Sequence, residues 1–231
     1  MDYPSLWQRI LDLIDAGAST VRRVFERRRG VDSVAFSIAF IALAAKLAKA
    51  DGKVTRDEVS VFHQIFAIPP NEEANAARVY NLCRQDVTGF EFYARQMANA
   101  LFDGDENCET RMTVLDGLFH IAMADGEYHP NEEAFLREVA RIFGISEEIY
   151  NRLQAQHIPD HYDPWAILGL EPGASLEVLN QTRREFLKCN HPDQLMARGL
   201  PAEMIALANA RLAAFNTAFE EVRTSLTKTK H

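Results

Sequence analysis

Pro192 sits between two long stretches of helical periodicity, Ser175 to Cys189 and Ala202 to Thr224. A proline donates no backbone N–H and drives the residue before it out of the helical region, so the two stretches cannot form one helix. Apolar residues recur on one face of each: Leu176, Leu179, Phe186 and Leu187 on the first, Leu207, Leu212, Phe215, Phe219 and Val222 on the second. The chain must fold back here as a helical hairpin with His191-Pro192-Asp193 at its tip. An imidazole and a carboxylate lifted clear of a core are placed to be touched by another molecule.

The surroundings of that tip are specific. Asp163-Pro164-Trp165-Ala166-Ile167-Leu168-Gly169-Leu170 precedes the hairpin, Arg183, Arg184 and Lys188 lie on its first helix, and Leu212-Ala213-Ala214-Phe215-Asn216-Thr217-Ala218-Phe219 lies on its second. This layout resembles the J-domain of DnaJ-type co-chaperones. The resemblance implies that residues 163–231 dock on a DnaK-type chaperone and trigger its ATP hydrolysis. It also implies the roles. Arg183, Arg184 and Lys188 form a basic face, Asp193 engages arginines of the partner, and Asn190, His191 and Pro192 hold the turn. The first helix departs from the family in carrying Asn180, Gln181 and Glu185, and Arg183 stands where a tyrosine is usual. The Gly/Phe-rich and cysteine-repeat regions of general DnaJ proteins are absent, so the choice of client, whose identity is unknown, falls to the preceding residues.

Those residues are acidic. Val31 to His161 carries 11 basic and 21 acidic side chains, whereas Tyr162 to His231 carries 8 of each. An acidic body argues against nucleic acid as the partner, because phosphate binding needs a clustered basic surface. Cys83, Cys108 and Cys189 form no C-x-x-C pair, which implies neither a disulfide framework nor a zinc ribbon and suits a cytoplasmic setting. The longest charge-free run, Ser33 to Ala45, is 13 residues, short of the ~20 that a spanning helix needs. Met1 to Gly17 lacks a basic start and has Gln8, Arg9, Asp12 and Asp15 inside its apolar pattern, unlike a secretory leader.

Leu6, Ile10, Leu13, Ile14, Val21, Val24 and Phe25 predict an amphipathic N-terminal helix, interrupted near Gly17 and ending in Arg27, Arg28 and Arg29. Two placements fit it: docked on the body, or lying through residues 3–29 on an anionic membrane surface such as the cytoplasmic face of an inner membrane.

Phe36, Phe40, Leu43 and Leu47 then mark a buried helix running into Ala50-Asp51-Gly52, and Thr55 and Glu58 have the spacing of a capping box opening the next. Helices through Ala74, Ala77, Tyr80 and Leu82 and through Phe90, Tyr93, Met97 and Leu101 follow. The first pattern returns at an offset of 74, with Asp51 matching Asp125, Gly52 Gly126, Asp57 Asn131 and Glu58 Glu132. Gly144 suits a helix C-cap, Ser146 opens a further helix, and the proline-interrupted stretch 157–162 reads as a linker.

The duplicated Ala-Asp-Gly turn resembles the tellurite-resistance TerB-like domain, and the order of the two modules resembles the DjlA branch of the DnaJ family. That branch usually has a transmembrane N-terminus, which this sequence lacks. Asp51, Asp57 and Glu58, with Asp125, Asn131 and Glu132, are the oxygen donors that a divalent cation such as Ca²⁺ or Mg²⁺ takes. Turn formation and helix capping demand the same residues. Asp103-Gly104-Asp105 starts like an EF-hand loop but has Cys108 where glycine belongs and Val114 where the bidentate glutamate belongs. His120 reads as a satisfied core residue, His157 and His161 as linker residues, and His129 as an additional candidate ligand on the acidic turn. No nucleophile elbow, P-loop or H-E-x-x-H motif occurs, so no enzymatic activity is expected.

The expected protein is all-α: an N-terminal amphipathic, basic helix (1–30), a TerB-like bundle with an internal duplication (31–156), a linker (157–162) and a J-domain on a helical hairpin (163–231). Its function is that of a co-chaperone. The competing expectation is a metal-binding stress-response protein whose hairpin only docks or forms a homodimer.

Overall fold

The computed structural model describes residues 5–16, 33–49, 65–66, 68–85, 89–101, 109–197, 200 and 205–228. Among them the secondary structure is entirely helical. Its α-helices are α1 (Leu6–Asp15), α2 (Ser33–Leu47), α3 (Glu73–Gln85), α4 (Phe90–Leu101), α5 (Glu109–Ala122), α6 (Pro130–Phe143), α7 (Glu147–His157), α8 (Pro164–Leu168), α9 (Leu176–Asn190), α10 (Pro192–Ala197) and α11 (Ile205–Lys228).

Helix α2 is the axis of the larger body. It is apolar on every side rather than on one stripe, and Val34 to Ala45 are buried without exception, as expected of a helix enclosed by others. It packs against α1, α3, α4 and α5. On α3 the buried residues are Ala76, Val79, Tyr80 and Cys83, one register away from the predicted Ala74 and Ala77, which are exposed.

The N-terminal helix is docked. Ser5 caps α1 by accepting from Gln8 N at 3.1 Å, and Trp7, Ile10 and Leu11 are buried in the core. The Trp7 ring meets Phe66 edge-on with centroids 5.6 Å apart, and Phe66 meets Phe40 at the same distance. The apolar face of α1 is thus spent on the protein interior. Residues 17–32, including the arginines after α1, lie outside the described residues. No helix among the described residues is long and apolar enough to cross a membrane.

The predicted punctuation of α6 and α7 is present. Gly144 adopts φ +68°, which favours glycine, and its N–H closes α6. Ser146 accepts from Ile149 N to start α7.

The C-terminal helices α8, α9 and α11 form a second, smaller core from Ile167, Leu168, Leu179, Phe215, Ala218, Phe219 and Val222, to which α7 contributes Ala155. Here two predicted faces are corrected. Leu187 points outward at 36% exposure. Leu207 does not join the hairpin core; with Leu195, Leu200 and Ala208 it is buried in the core of the larger body. The start of α11 inserts against α5 at Gly117, where an added Cβ would lie 2.7 Å from Leu207 Cδ1 and 3.1 Å from Phe40 Cζ. A side chain at 117 would have to displace these buried side-chain tips. Helix α11 is therefore shared, its first turns belonging to the body and its remainder to the hairpin.

Candidate functional site

The turn at the hairpin tip is a helix start. His191 is extended, with φ −62° and ψ 134°, as a residue before proline prefers. Its carbonyl accepts from Gln194 N at 2.9 Å and Leu195 N at 3.1 Å, and its Nδ1 accepts from Asp193 N at 3.3 Å. Pro192 takes the first helical position, where its missing N–H costs nothing. His191 and Pro192 thus each have a backbone reason to be there. The side chains are nonetheless presented to solvent, His191 at 60% and Asp193 at 76% exposure, with Nδ1 and Oδ2 3.5 Å apart.

The turn is anchored on both sides. Asn190 is buried, and its Nδ2 donates to Phe186 O at 3.1 Å. Leu195, three residues after Pro192, is fully buried in the larger core. Beneath α9 the Phe186 and Phe215 rings stack with centroids 3.7 Å apart and planes 6° apart. The structure divides the three predicted cations. The Arg183 guanidinium lies over the Phe219 ring at 4.6 Å and is half-buried, whereas Arg184 and Lys188 are exposed. Arg184 and Lys188 are four residues apart and so share one face of α9. Leu187 and Arg184 line a shallow groove with Leu176, Glu177 and Asn180.

In the second acidic turn the carboxylates serve the backbone. Asp125 Oδ1 accepts from Glu127 N at 3.0 Å, closing the turn. The buried Glu132 accepts from His129 N at 2.9 Å, capping α6. Asn131 is exposed, and His129 Nε2 lies 3.8 Å from Glu127 Oε2. Asp51, Asp57 and Glu58 of the first turn, with Thr55, lie outside the described residues, as does the Asp103–Asn107 loop.

A cluster that sequence reasoning missed lies where α5 meets the end of α7. Asp116 is fully buried, and its Oδ1 accepts from His157 Nε2 at 2.7 Å and from Gln156 Nε2 at 3.0 Å. His120 Nε2 lies 3.7 Å from Asp116 Oδ2, and both atoms are buried without a hydrogen-bond partner. The His120 and His157 rings meet edge-on with centroids 4.5 Å apart, and Phe119 stacks on His157.

His157 is thus no linker residue. It ends α7, and 6% of its side chain is exposed. Nor is His120 a satisfied core residue. Burial pushes the Asp116 carboxyl up, but the charge and hydrogen bond of His157, with His120 and Arg211, outweigh this and hold it below the ordinary value. Burial pushes the His120 imidazole down, against the pull of Asp116. The spacing of Asp116 and His120, four apart on one helix, was the available signal. Only the fold adds His157.

A second set of polar contacts ties α11 to α5. The nearly buried Arg211 donates from Nη1 to Glu109 O and Thr113 Oγ1, both at 3.2 Å, and its Nη2 lies 3.1 Å from Glu109 Oε2. Phe186 covers the same guanidinium, with its centroid 5.5 Å away.

The family model of tellurite resistance protein TerB matches residues 37–155. Over 219 residues the chain is 26% identical to the co-chaperone protein DjlA of Photobacterium profundum, covering 81% of this chain and 76% of that one. Over 238 residues it is 23% identical to the co-chaperone protein DjlA of Escherichia coli strain K12, covering 91% and 86%. No solved structure matches the chain.

Proposed function

Because this chain belongs to the TerB family and is DjlA-like over most of its length, we propose that it is a J-domain co-chaperone that stimulates ATP hydrolysis in a DnaK-type chaperone. In this reading the larger body selects the place or client. The observation that carries it is the His191-Pro192-Asp193 turn. It is held by the His191 carbonyl and Nδ1 and braced by Asn190 and Leu195, yet the Asp193 side chain is 76% exposed.

The chemistry belongs to the partner. Arg184 and Lys188 steer an acidic surface of the chaperone toward α9 and raise the encounter rate. Asp193 then makes charge-assisted hydrogen bonds to arginines of the partner, which are stronger and more directional than neutral ones. Rigidity matters here: a turn already fixed by Pro192 and the His191 cap loses little conformational entropy when bound.

Single-turnover ATPase measurements on the DnaK-type chaperone of the same cell test the proposal. The chain is expected to accelerate hydrolysis, and Asp193→Asn to abolish the acceleration while leaving the fold intact by circular dichroism. No acceleration by the unmodified chain, or equal acceleration by Asp193→Asn, overturns it.

A further inference from the structure

The buried cluster at the α5–α7 junction lies apart from the docking turn and from both acidic turns. Asp116 and His120 occupy one face of α5, and His157 is the last residue of α7. Among the described residues this is the one group of three or more histidine, cysteine and acidic side chains whose donor atoms all lie close together, within 4.8 Å of one another.

We propose that Asp116, His120 and His157 form a binding site for Zn²⁺ or a divalent ion of the same borderline character. Four observations support the assignment. The donor set is two imidazole nitrogens and one carboxylate oxygen, which suits zinc-like ions; Ca²⁺ and Mg²⁺ want oxygen alone. The donor spacing fits. Ligands about 2.0 Å from a tetrahedral ion stand about 3.3 Å from each other; His157 Nε2 stands 2.7 Å from Asp116 Oδ1 and His120 Nε2 3.7 Å from Oδ2 of the same carboxylate, so each imidazole lies near that separation from one of its oxygens. Two of the donor atoms, Asp116 Oδ2 and His120 Nε2, are buried with no hydrogen-bond partner, a cost that a bound cation removes. Finally, the surroundings orient the ligands: Gln156 holds the carboxylate and Phe119 stacks on the His157 ring.

The proton balance is simple. The ion takes the place of the hydrogen between His157 Nε2 and Asp116 Oδ1: a neutral imidazole carries that proton on Nδ1 instead, and a protonated one releases it to solvent and keeps its Nδ1–H. The His120 side chain is 37% exposed, which gives an ion a way in from solvent. The placement suggests a purpose. His157 is followed at once by Ile158 to Asp163, which lead into α8. An ion bridging α5 and the end of α7 therefore clamps the root of the C-terminal helices to the body.

Zn²⁺ titration of the untagged full-length chain, in the presence of excess Mg²⁺, tests this, with Co²⁺ absorption as a second readout of nitrogen and oxygen ligands. His120→Gln is the informative variant because no hydrogen bond of the metal-free fold depends on His120 Nε2. The expected result is one Zn²⁺ per chain, weakened more than about tenfold in His120→Gln and His157→Gln. The metal-free His120→Gln chain keeps a cooperative urea transition, and Asp125→Ala binds as the unmodified chain does. The proposal is overturned if the unmodified chain takes up no Zn²⁺ at about 0.1 mM. Binding that survives both histidine changes, or that Asp125→Ala removes, overturns it equally.

Discussion

The Arg211 guanidinium on α11 lies 3.1 Å from the Glu109 carboxylate on α5, and 7% and 13% of the two side chains are exposed. This ion pair crosses from the hairpin to the larger body, beneath the Phe186 ring of the same helix that carries Arg184 and Lys188. A pair so enclosed contributes less by mutual attraction than it costs to break, because the remaining partner is left charged without water. Arg211→Met keeps the stem but strands Glu109. It is expected to lower the urea unfolding free energy by about 3 kcal/mol, and adding Glu109→Gln should recover part of the loss. A loss within error of zero would show that the pair is solvated and that the two cores do not depend on it.

The close contact of α11 with α5 makes a second prediction. Alanine at Gly117 gains helix propensity of about 1 kcal/mol, but its Cβ would lie 2.7 Å from the Leu207 side chain, itself buried. Overpacking of this kind costs about 1–3 kcal/mol. Gly117→Ala is therefore expected to be net destabilising, and Gly117→Ala/Leu207→Ala to be less so than the two single changes added together. Thermal unfolding of the four proteins provides the cycle; strict additivity would mean that the residues do not meet.

How far the sequence carried the fold depended on periodicity, and it failed where tertiary packing chose between faces. The charge-free Val34 to Ala45 run, the caps at Gly144 and Ser146 and the break at Pro192 are local, and each stands where expected. Leu187 and Leu207 both fit a hairpin stripe, but Leu187 is exposed and Leu207 is claimed by the other core, because α11 is long enough to serve two. Trp7 suited a protein interior, the favoured placement, as well as a lipid surface, and its burial against Phe66, distant in sequence, shows the helix docked. The same limit applies to the sites. The His191-Pro192-Asp193 turn is contiguous, and its helix break is legible in the sequence. Asp116 and His120 are neighbours on a helix, but His157 joins them only once α7 has been laid against α5, and Pro159 two residues later disguised it as linker.

The division of the basic face predicts separable kinetic effects. Arg184, Lys188 and Asp193 are all exposed; in the proposed docking the two cations act through long-range attraction and Asp193 at contact. Arg184→Glu/Lys188→Glu is expected to slow association with the DnaK-type chaperone about tenfold or more at low salt. The deficit should shrink at high ionic strength, where such charges are screened. Asp193→Asn should instead abolish stimulation at any salt concentration with little change in the encounter rate. Stopped-flow association against salt separates the two; a salt-independent deficit in the charge reversal would remove the steering role from α9.

At alkaline pH the hydroxyl of Tyr162, just before α8, is the group to follow. It donates to Glu221 Oε1 on α11 at 2.9 Å. Burial first, then the hydrogen bond and charge of Glu221, push its pKa up to about 12. The unfolded chain gives up that proton near the ordinary value of about 10, so between these two values the unfolded state binds fewer protons than the folded one and stability falls as pH rises. The Tyr162–Glu221 contribution is fully present below pH 10 and lost through about 12. It will be modest because 45% of Tyr162 is exposed. Tyr162→Phe is expected to flatten the decline in the urea midpoint over that range while slightly lowering stability at neutral pH, and tyrosinate absorbance should lose its component near pH 12. An unchanged alkaline decline in Tyr162→Phe would mean that the hydroxyl is solvated and does not brace α8 against α11.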